Sequence, residues 1–123
     1  MRLAWVAERV ENPAGPGMPD VYYTLRHNGR MGWIELKHLH EWPKKDSTVV
    51  LIKHFTAQQR AFFKRHGELG ANIYLLLQVD RQYFLLDWYV ALMIGEMTKG
   101  GIEQRAKGSW TKNIDYGQFL KLL

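Results

Sequence analysis

The chain predicts an α/β fold, and three stretches carry that expectation. Val21-Tyr22-Tyr23-Thr24-Leu25 and the run from Met31 to His38 flank Asn28-Gly29, a strong hairpin signal. Phe55 to Gly67 reads as a helix, because Thr56 is a natural N-cap and Gln59, three residues on, completes a capping box. Ala71 to Val79 is almost continuously apolar, the composition of a strand buried on both faces.

With 123 residues, one domain over 1–123 is expected, with a core over about 1–97 and a basic extension over about 98–123. Apolar residues at 46% and charged residues at 24% are ordinary for a globular protein. A net charge of +5 and a pI near 9.6 suit a polyanionic partner, chiefly nucleic acid. The absence of cysteine excludes disulfides, thiolate zinc sites and cysteine nucleophiles. No apolar run approaches the ~20 residues of a membrane span, so no membrane partner is expected. The first ten residues are too short and too charged for a signal peptide. A cytoplasmic location, or the interior of a phage-infected host cell, is the expectation.

Along the chain, Leu3, Val6, Ala7 and Val10 fall at helical spacing, which predicts a short amphipathic helix over Met1 to Val10. Glu11 to Met18 is rich in Pro and Gly and reads as a loop. In the strand after Asn28-Gly29, Glu35 and Lys37 share one face while Ile34 and Leu36 share the other. Counting outward from the turn, partner numbers sum to about 57, which puts Asp20 opposite roughly Lys37. Asp20, Glu35 and Lys37 then lie within one side chain's reach. Two converging carboxylates make a hard oxygen site suited to Mg²⁺. A lysine beside them can position or deprotonate a water.

His38 to His54 is the least regular part, a loop with a short strand over Val49 to Ile52. Lys44, Lys45 and Lys53 make it basic, which suits contact with a DNA backbone. The His38-x-His40 pair has zinc-like spacing, with only Glu41 or His54 to add; a polar strand end or a phosphate contact is the plainer reading. In the following helix Phe62 and Phe63 supply the buried face, leaving Arg60, Lys64 and Arg65 for solvent or phosphate. Tyr83 to Trp88 should pair with the Ala71–Val79 strand, and Trp88 to Met97 suits a helix ended by Lys99-Gly100-Gly101. Ile102 to Leu123 reads as a basic tail, loop-like at Gly108-Ser109-Trp110. A last helix over Asp115 to Leu123 would pack on the core or on a second subunit. Trp110 with Lys112 fits either core packing or stacking on a base.

Pro19-Asp20 followed by Glu35-Leu36-Lys37 resembles the PD-(D/E)xK nuclease superfamily. The Gly-Met-Pro-Asp approach and the Thr-x-x-Gln-Arg helix start at Thr56 look most like its VRR-NUC branch, to which Holliday junction resolvases are related. The resemblance covers about Asn12 to Trp88. It implies a restriction-endonuclease-like core, with a mixed central β-sheet flanked by helices. It implies a metal-dependent DNA endonuclease, structure-selective on branched DNA such as Holliday junctions, with Asp20, Glu35, Lys37 and Gln59 as catalytic residues. Mg²⁺, or Mn²⁺ in its place, would sit on Asp20, Glu35 and the backbone carbonyl of Leu36, with Glu8 or Glu11 from an N-terminal helix as a further acidic ligand. Lys44, Lys45, Lys53, Arg60, Lys64 and Arg65 would hold branched or duplex DNA. The resemblance also implies a homodimer, since cutting two strands symmetrically needs two copies of the site. Three other readings stay open. One is a non-specific or nicking nuclease of the homing or restriction type, and another a non-catalytic DNA-binding protein that keeps the fold. The third is a structural protein in which Glu35 and Lys37 form a plain ion pair.

Overall fold

A computed structural model describes residues 5–10 and 17–123. Six strands form one sheet whose spatial order follows the chain: β1 (Trp5–Arg9), β2 (Val21–Leu25), β3 (Met31–Leu39), β4 (Ile73–Val79), β5 (Gln82–Asp87) and β6 (Gly108–Thr111). All neighbours are antiparallel except β3 and β4. A parallel pair needs a crossover, and helix α1 (Ala57–Gly67) lies on it. Helices α2 (Trp88–Ala91), α3 (Lys99–Arg105) and α4 (Tyr116–Leu122) complete the chain. The fold is α/β with a mixed central sheet flanked by helices, the class the sequence predicts.

Each sheet face has its own core. Phe62 and Phe63 of α1 pack with Val50, Ile52 and Phe55 on one face, over Leu75, Leu77 and Leu86. On the other face Phe119 and Leu123 meet Tyr23, Leu25, Ile34, Tyr74 and Leu85. The continuous apolar run of β4 follows from this, since β4 is central and covered on both sides. The start of α1 is fixed by the expected capping box: Gln59 N–H donates to Thr56 Oγ1 (3.2 Å), and Thr56 N–H donates to Gln59 Oε1 (2.9 Å).

Four expectations need correction. The first is the helix over Met1 to Val10: Trp5–Arg9 is an edge strand paired with β2. Its partner lies far along the chain, so the local helical spacing carried no information about it. Trp5 anchors the strand by packing on Tyr23 and Phe119.

The second is the hairpin register. Leu25 N–H donates to Arg30 O and Gly29 N–H to Leu25 O, so the loop holds four residues, with Gly29 at φ +69°. The pairs Val21–Ile34 and Tyr22–Trp33 sum to 55 rather than 57. Asp20 therefore comes opposite Glu35. The slip is even, so every side chain keeps its predicted face.

The third is the helix over Trp88 to Met97, which is one turn long. Gly95 adopts φ +102°, and Thr98 caps a new helix instead. Lys99-Gly100-Gly101 begins α3 and does not end α2.

The fourth concerns two loops. Gly108–Thr111 is the sheet's edge strand β6, not a loop. Between His38 and His54, β3 runs on to Leu39, and the expected strand at Val49 to Ile52 is a single bridge from Val49 to Thr98. Val50, Ile52 and Phe55 nail that segment to the core. Trp110 packs edge-on against Phe119, and its indole N–H donates to Gln118 Oε1 (3.1 Å).

Candidate active site

Pleating sends Trp33, Glu35, Lys37 and Leu39 of β3 toward α1, while Ile34 joins the opposite core. Two of these residues are charged and nevertheless buried: Glu35 is 2% exposed and Lys37 7%. Buried charges are tolerated when paired, and Lys37 Nζ stands 3.1 Å from Glu35 Oε2. The same ammonium donates to the main-chain carbonyl of His54 at 2.7 Å. A lysine has three donors, so one remains for another group.

Gln59 joins the cluster from the first turn of α1. Its Oε1 closes the capping box while its Nε2 donates to Glu35 Oε2 at 3.3 Å. One amide thus serves both the cap and the Glu35 carboxylate. Asp20 arrives on the chain entering β2, beside the register pair of Val21 and Ile34, with its Oδ2 accepting the Leu36 N–H at 2.9 Å. A strand residue points its N–H and C=O to the same side, so the Leu36 carbonyl also faces Asp20, where the β2 ladder has ended. Gly17 makes this approach possible. Its φ is +96°, and a Cβ there would fall 2.6 Å from the carbonyl oxygen of Gln58.

The electrostatics are unbalanced. Burial first, and the nearby Asp20 carboxylate second, push the Glu35 carboxyl up to about 7, against a partial lowering by Lys37. Glu35 Oε1 is buried with no partner among the described residues. A carboxylate with one orphaned oxygen, beside a second carboxylate and a free-facing carbonyl, fits a divalent cation of the hard, oxygen-seeking kind. Among the described residues no group of three or more His, Cys, Asp or Glu converges, so the donor set is two carboxylates plus backbone and water. Glu8 is exposed, opposite Tyr22 in the register and on the same sheet face as Asp20 and Glu35. Glu11 lies outside the described residues.

The basic residues separate into two kinds. Lys44, Lys45, Lys53, Lys64 and Arg65 are exposed. Arg60 is half-buried and turned inward: its guanidinium donates to Leu92 O (3.4 Å) and Ile94 O (3.1 Å) and lies 4.6 Å from the Phe55 ring. Sequence reasoning missed the His54 carbonyl, and no side-chain pattern could signal a main-chain contact. The Phe55 ring lies 4.6 Å from the Arg60 guanidinium and 6.0 Å from the Lys37 ammonium, cation contacts that sequence reasoning did not anticipate. An aromatic just before a helix cap was the available signal.

No family model and no curated protein sequence matches the chain. Among solved structures, the fold is similar to that of Hjc, a Holliday junction resolvase from the archaeal hyperthermophile Archaeoglobus fulgidus. The match has 21% sequence identity and a TM-score of 0.47, and covers 71% of this chain. The chain spans 62% of that protein's length.

Proposed function

We propose that the chain is a divalent-metal-dependent phosphodiesterase acting on DNA, an endonuclease of PD-(D/E)xK type with branched DNA as its preferred substrate. One observation carries the reading. Glu35 is buried with an orphaned oxygen, shares its face with Asp20, and is bonded through its other oxygen to Lys37. A purely structural ion pair would gain from satisfying both carboxylate oxygens. A site awaiting a cation would leave one open.

When bound, Mg²⁺ or Mn²⁺ would polarise the phosphodiester and stabilise the added charge on phosphorus. Asp20, Glu35 and the Leu36 carbonyl are the residues that would hold it. Lys37 would use its remaining donor to position the attacking water and offset developing negative charge. Gln59 fixes the orientation of the Glu35 carboxylate. Lys44, Lys45, Lys53, Lys64 and Arg65 bind the phosphate backbone, which makes affinity fall with salt. These contacts read no bases, so shape is recognised. A two-fold dimer supplies the second site needed to cut a junction symmetrically.

The test incubates the purified protein with a labelled four-way junction and a matching linear duplex, in Mg²⁺ or Mn²⁺, beside Glu35→Ala. Metal-dependent cutting of the junction, absent in the variant, is expected. Equal cutting of both DNAs would remove the junction preference, and tight binding with no cutting would leave a non-catalytic DNA-binding protein.

A further inference from the structure

Of the six cations expected to grip DNA, Arg60 alone is half-buried, and it has three partners inside the protein. Its two terminal nitrogens each donate to a carbonyl, Leu92 O at 3.4 Å and Ile94 O at 3.1 Å. Its guanidinium carbon lies over the Phe55 ring, 4.6 Å from the centroid. A planar fork that bonds two acceptors and also stacks on a ring uses what a guanidinium has and an ammonium lacks. The segment that Arg60 reaches is itself stitched to the chain before Phe55. Val50 N–H donates to Met97 O (2.8 Å), and Gly95 N–H donates to Val50 O (3.1 Å). Arg60 therefore ties helix α1, the turn after α2 and the strap over 50–55 together at one point.

The end of that strap is where Lys37 is held. The His54 carbonyl accepts from the ammonium at 2.7 Å, and Phe55, the next residue, places its ring 6.0 Å from the same nitrogen. One peptide unit thus carries both contacts. Along the chain it is held by Phe55 N–H, which donates to Ile52 O at 3.1 Å. Across the chain it is held by the ring of Phe55, buried between Arg60 and Phe63, which it meets edge-on at 5.2 Å. The place of this peptide decides where the ammonium stands relative to Glu35, whose Oε2 is 3.1 Å away and whose Oε1 has no partner among the described residues. A lysine released from the His54 carbonyl would gain by moving onto Oε1, because a buried ammonium needs acceptors for its three donors. It would then close the oxygen that a cation needs.

We propose that Arg60 is a positioning residue of the candidate active site: it fixes the His54–Phe55 peptide, which holds the Lys37 ammonium on the Oε2 side of Glu35. The inference rests on the phosphodiesterase reading of Asp20, Glu35 and Lys37. Arg60 touches neither substrate nor metal and acts through the Phe55 ring and the His54 carbonyl. Binding and turnover therefore separate. A cation that grips a DNA phosphate adds to affinity and to the salt slope of binding. A residue that places Lys37 leaves both alone and governs the rate of the chemical step, where a misplacement of ~1 Å costs up to about 10²-fold.

The test pairs a rate with a spectrum. Arg60→Met keeps an apolar stem without the fork. Arg60→Lys keeps the charge as well, and stands in should the first variant fail to fold. Phe119→Leu, in the core on the opposite sheet face, serves as a destabilised control. At saturating branched DNA in Mn²⁺, both Arg60 variants are expected to cut about 10- to 100-fold more slowly than wild type, with DNA affinity and its salt slope changed by less than about twofold. Phe119→Leu should cut within about threefold of wild type at a temperature where it is folded. The spectrum needs no cutting. In isotope-labelled, metal-free protein, a Lys37 side chain held on the His54 carbonyl gives two separate resonances for its ε-protons, assigned by their loss in Lys37→Met. In the Arg60 variants these should merge toward the position of exposed lysines, and in Phe119→Leu they should stay apart. Cutting by the Arg60 variants within about threefold of wild type overturns the proposal. So does weaker binding with a flatter salt slope and an unchanged rate at saturation, which would return Arg60 to the DNA backbone. Lys37 resonances that stay apart in both Arg60 variants also overturn it. A wild-type protein that cuts no DNA, but whose Lys37 resonances merge in the Arg60 variants, would sink the nuclease reading and leave Arg60 as the anchor of Lys37.

Discussion

Lys37 and Glu35, two residues apart on β3, form a buried ion pair with a 3.1 Å contact, and only one of the two carboxylate oxygens takes part. Burial and Asp20 outweigh Lys37, so the Glu35 carboxyl titrates near 7 in the metal-free protein, well above its ordinary 4.5. The folded state therefore holds this proton more tightly than the unfolded chain does. Its stabilising contribution is complete below about pH 4.5 and is lost as pH rises through about 7. Each pH unit between those values carries about 1.4 kcal/mol, so the loss is on the order of 3 kcal/mol. Thermal melts of metal-free protein should show that fall between pH 5 and 7.5, and Glu35→Gln should lack it. Adding Mn²⁺ at pH 8 should restore stability, because the cation takes the proton's place.

Lys37→Met keeps the length of the side chain and removes its charge. The turnover rate should drop by about 10²–10⁴, the range for a positioned proton-transfer group. Lys37 also lowers the Glu35 titration, so its loss should move the pH midpoint of the metal-free stability change upward. A series of melts against pH measures the shift.

The two ends of Gln59 can be separated. Thr56→Ala removes the cap hydroxyl and should cost about 1 kcal/mol of stability in denaturant titrations, with the Glu35 midpoint unmoved. Gln59→Glu retains an acceptor for the Thr56 N–H but sets a carboxylate against Glu35 Oε2, where an amide now donates. That variant should keep α1 helical by circular dichroism and raise the Glu35 midpoint.

Gly17→Ala tests the approach to Asp20. A Cβ at this φ of +96° would collide with the Gln58 carbonyl. The positive φ alone costs on the order of 1 kcal/mol, measurable by denaturant titration. Relief of the clash should shift Asp20 away from the Leu36 N–H and weaken Mn²⁺ binding, measured by electron paramagnetic resonance, well beyond what a uniformly destabilised protein would show.

That Asp20, Glu35 and Lys37 share one sheet face was legible because pleating is local. The alternation of Glu35 and Lys37 with Ile34 and Leu36 survives any even register error, which is why a two-residue slip at Asn28-Gly29 still left Asp20 on the right face. The capping box of α1 was equally local and is present as expected. What failed depended on partners distant in sequence. Trp5–Arg9 became a strand because the edge of β2 was available. Gly108–Thr111 became one because β5 needed a neighbour on its outer side. Arg60 illustrates the same limit from the other direction. Its helical position suggested a solvent-facing cation, but the carbonyls of Leu92 and Ile94, in the turn that follows α2, draw it inward.

The decisive measurement is single-turnover hydrolysis of end-labelled branched DNA, in Mn²⁺ and in EDTA, with wild-type protein and Glu35→Gln side by side. Cleavage is expected in Mn²⁺ and not in EDTA, with a loss of at least about 10³-fold in the variant while it still binds the DNA. Cleavage that persists in EDTA, or that survives Glu35→Gln, would contradict a metal-dependent site built on Asp20 and Glu35.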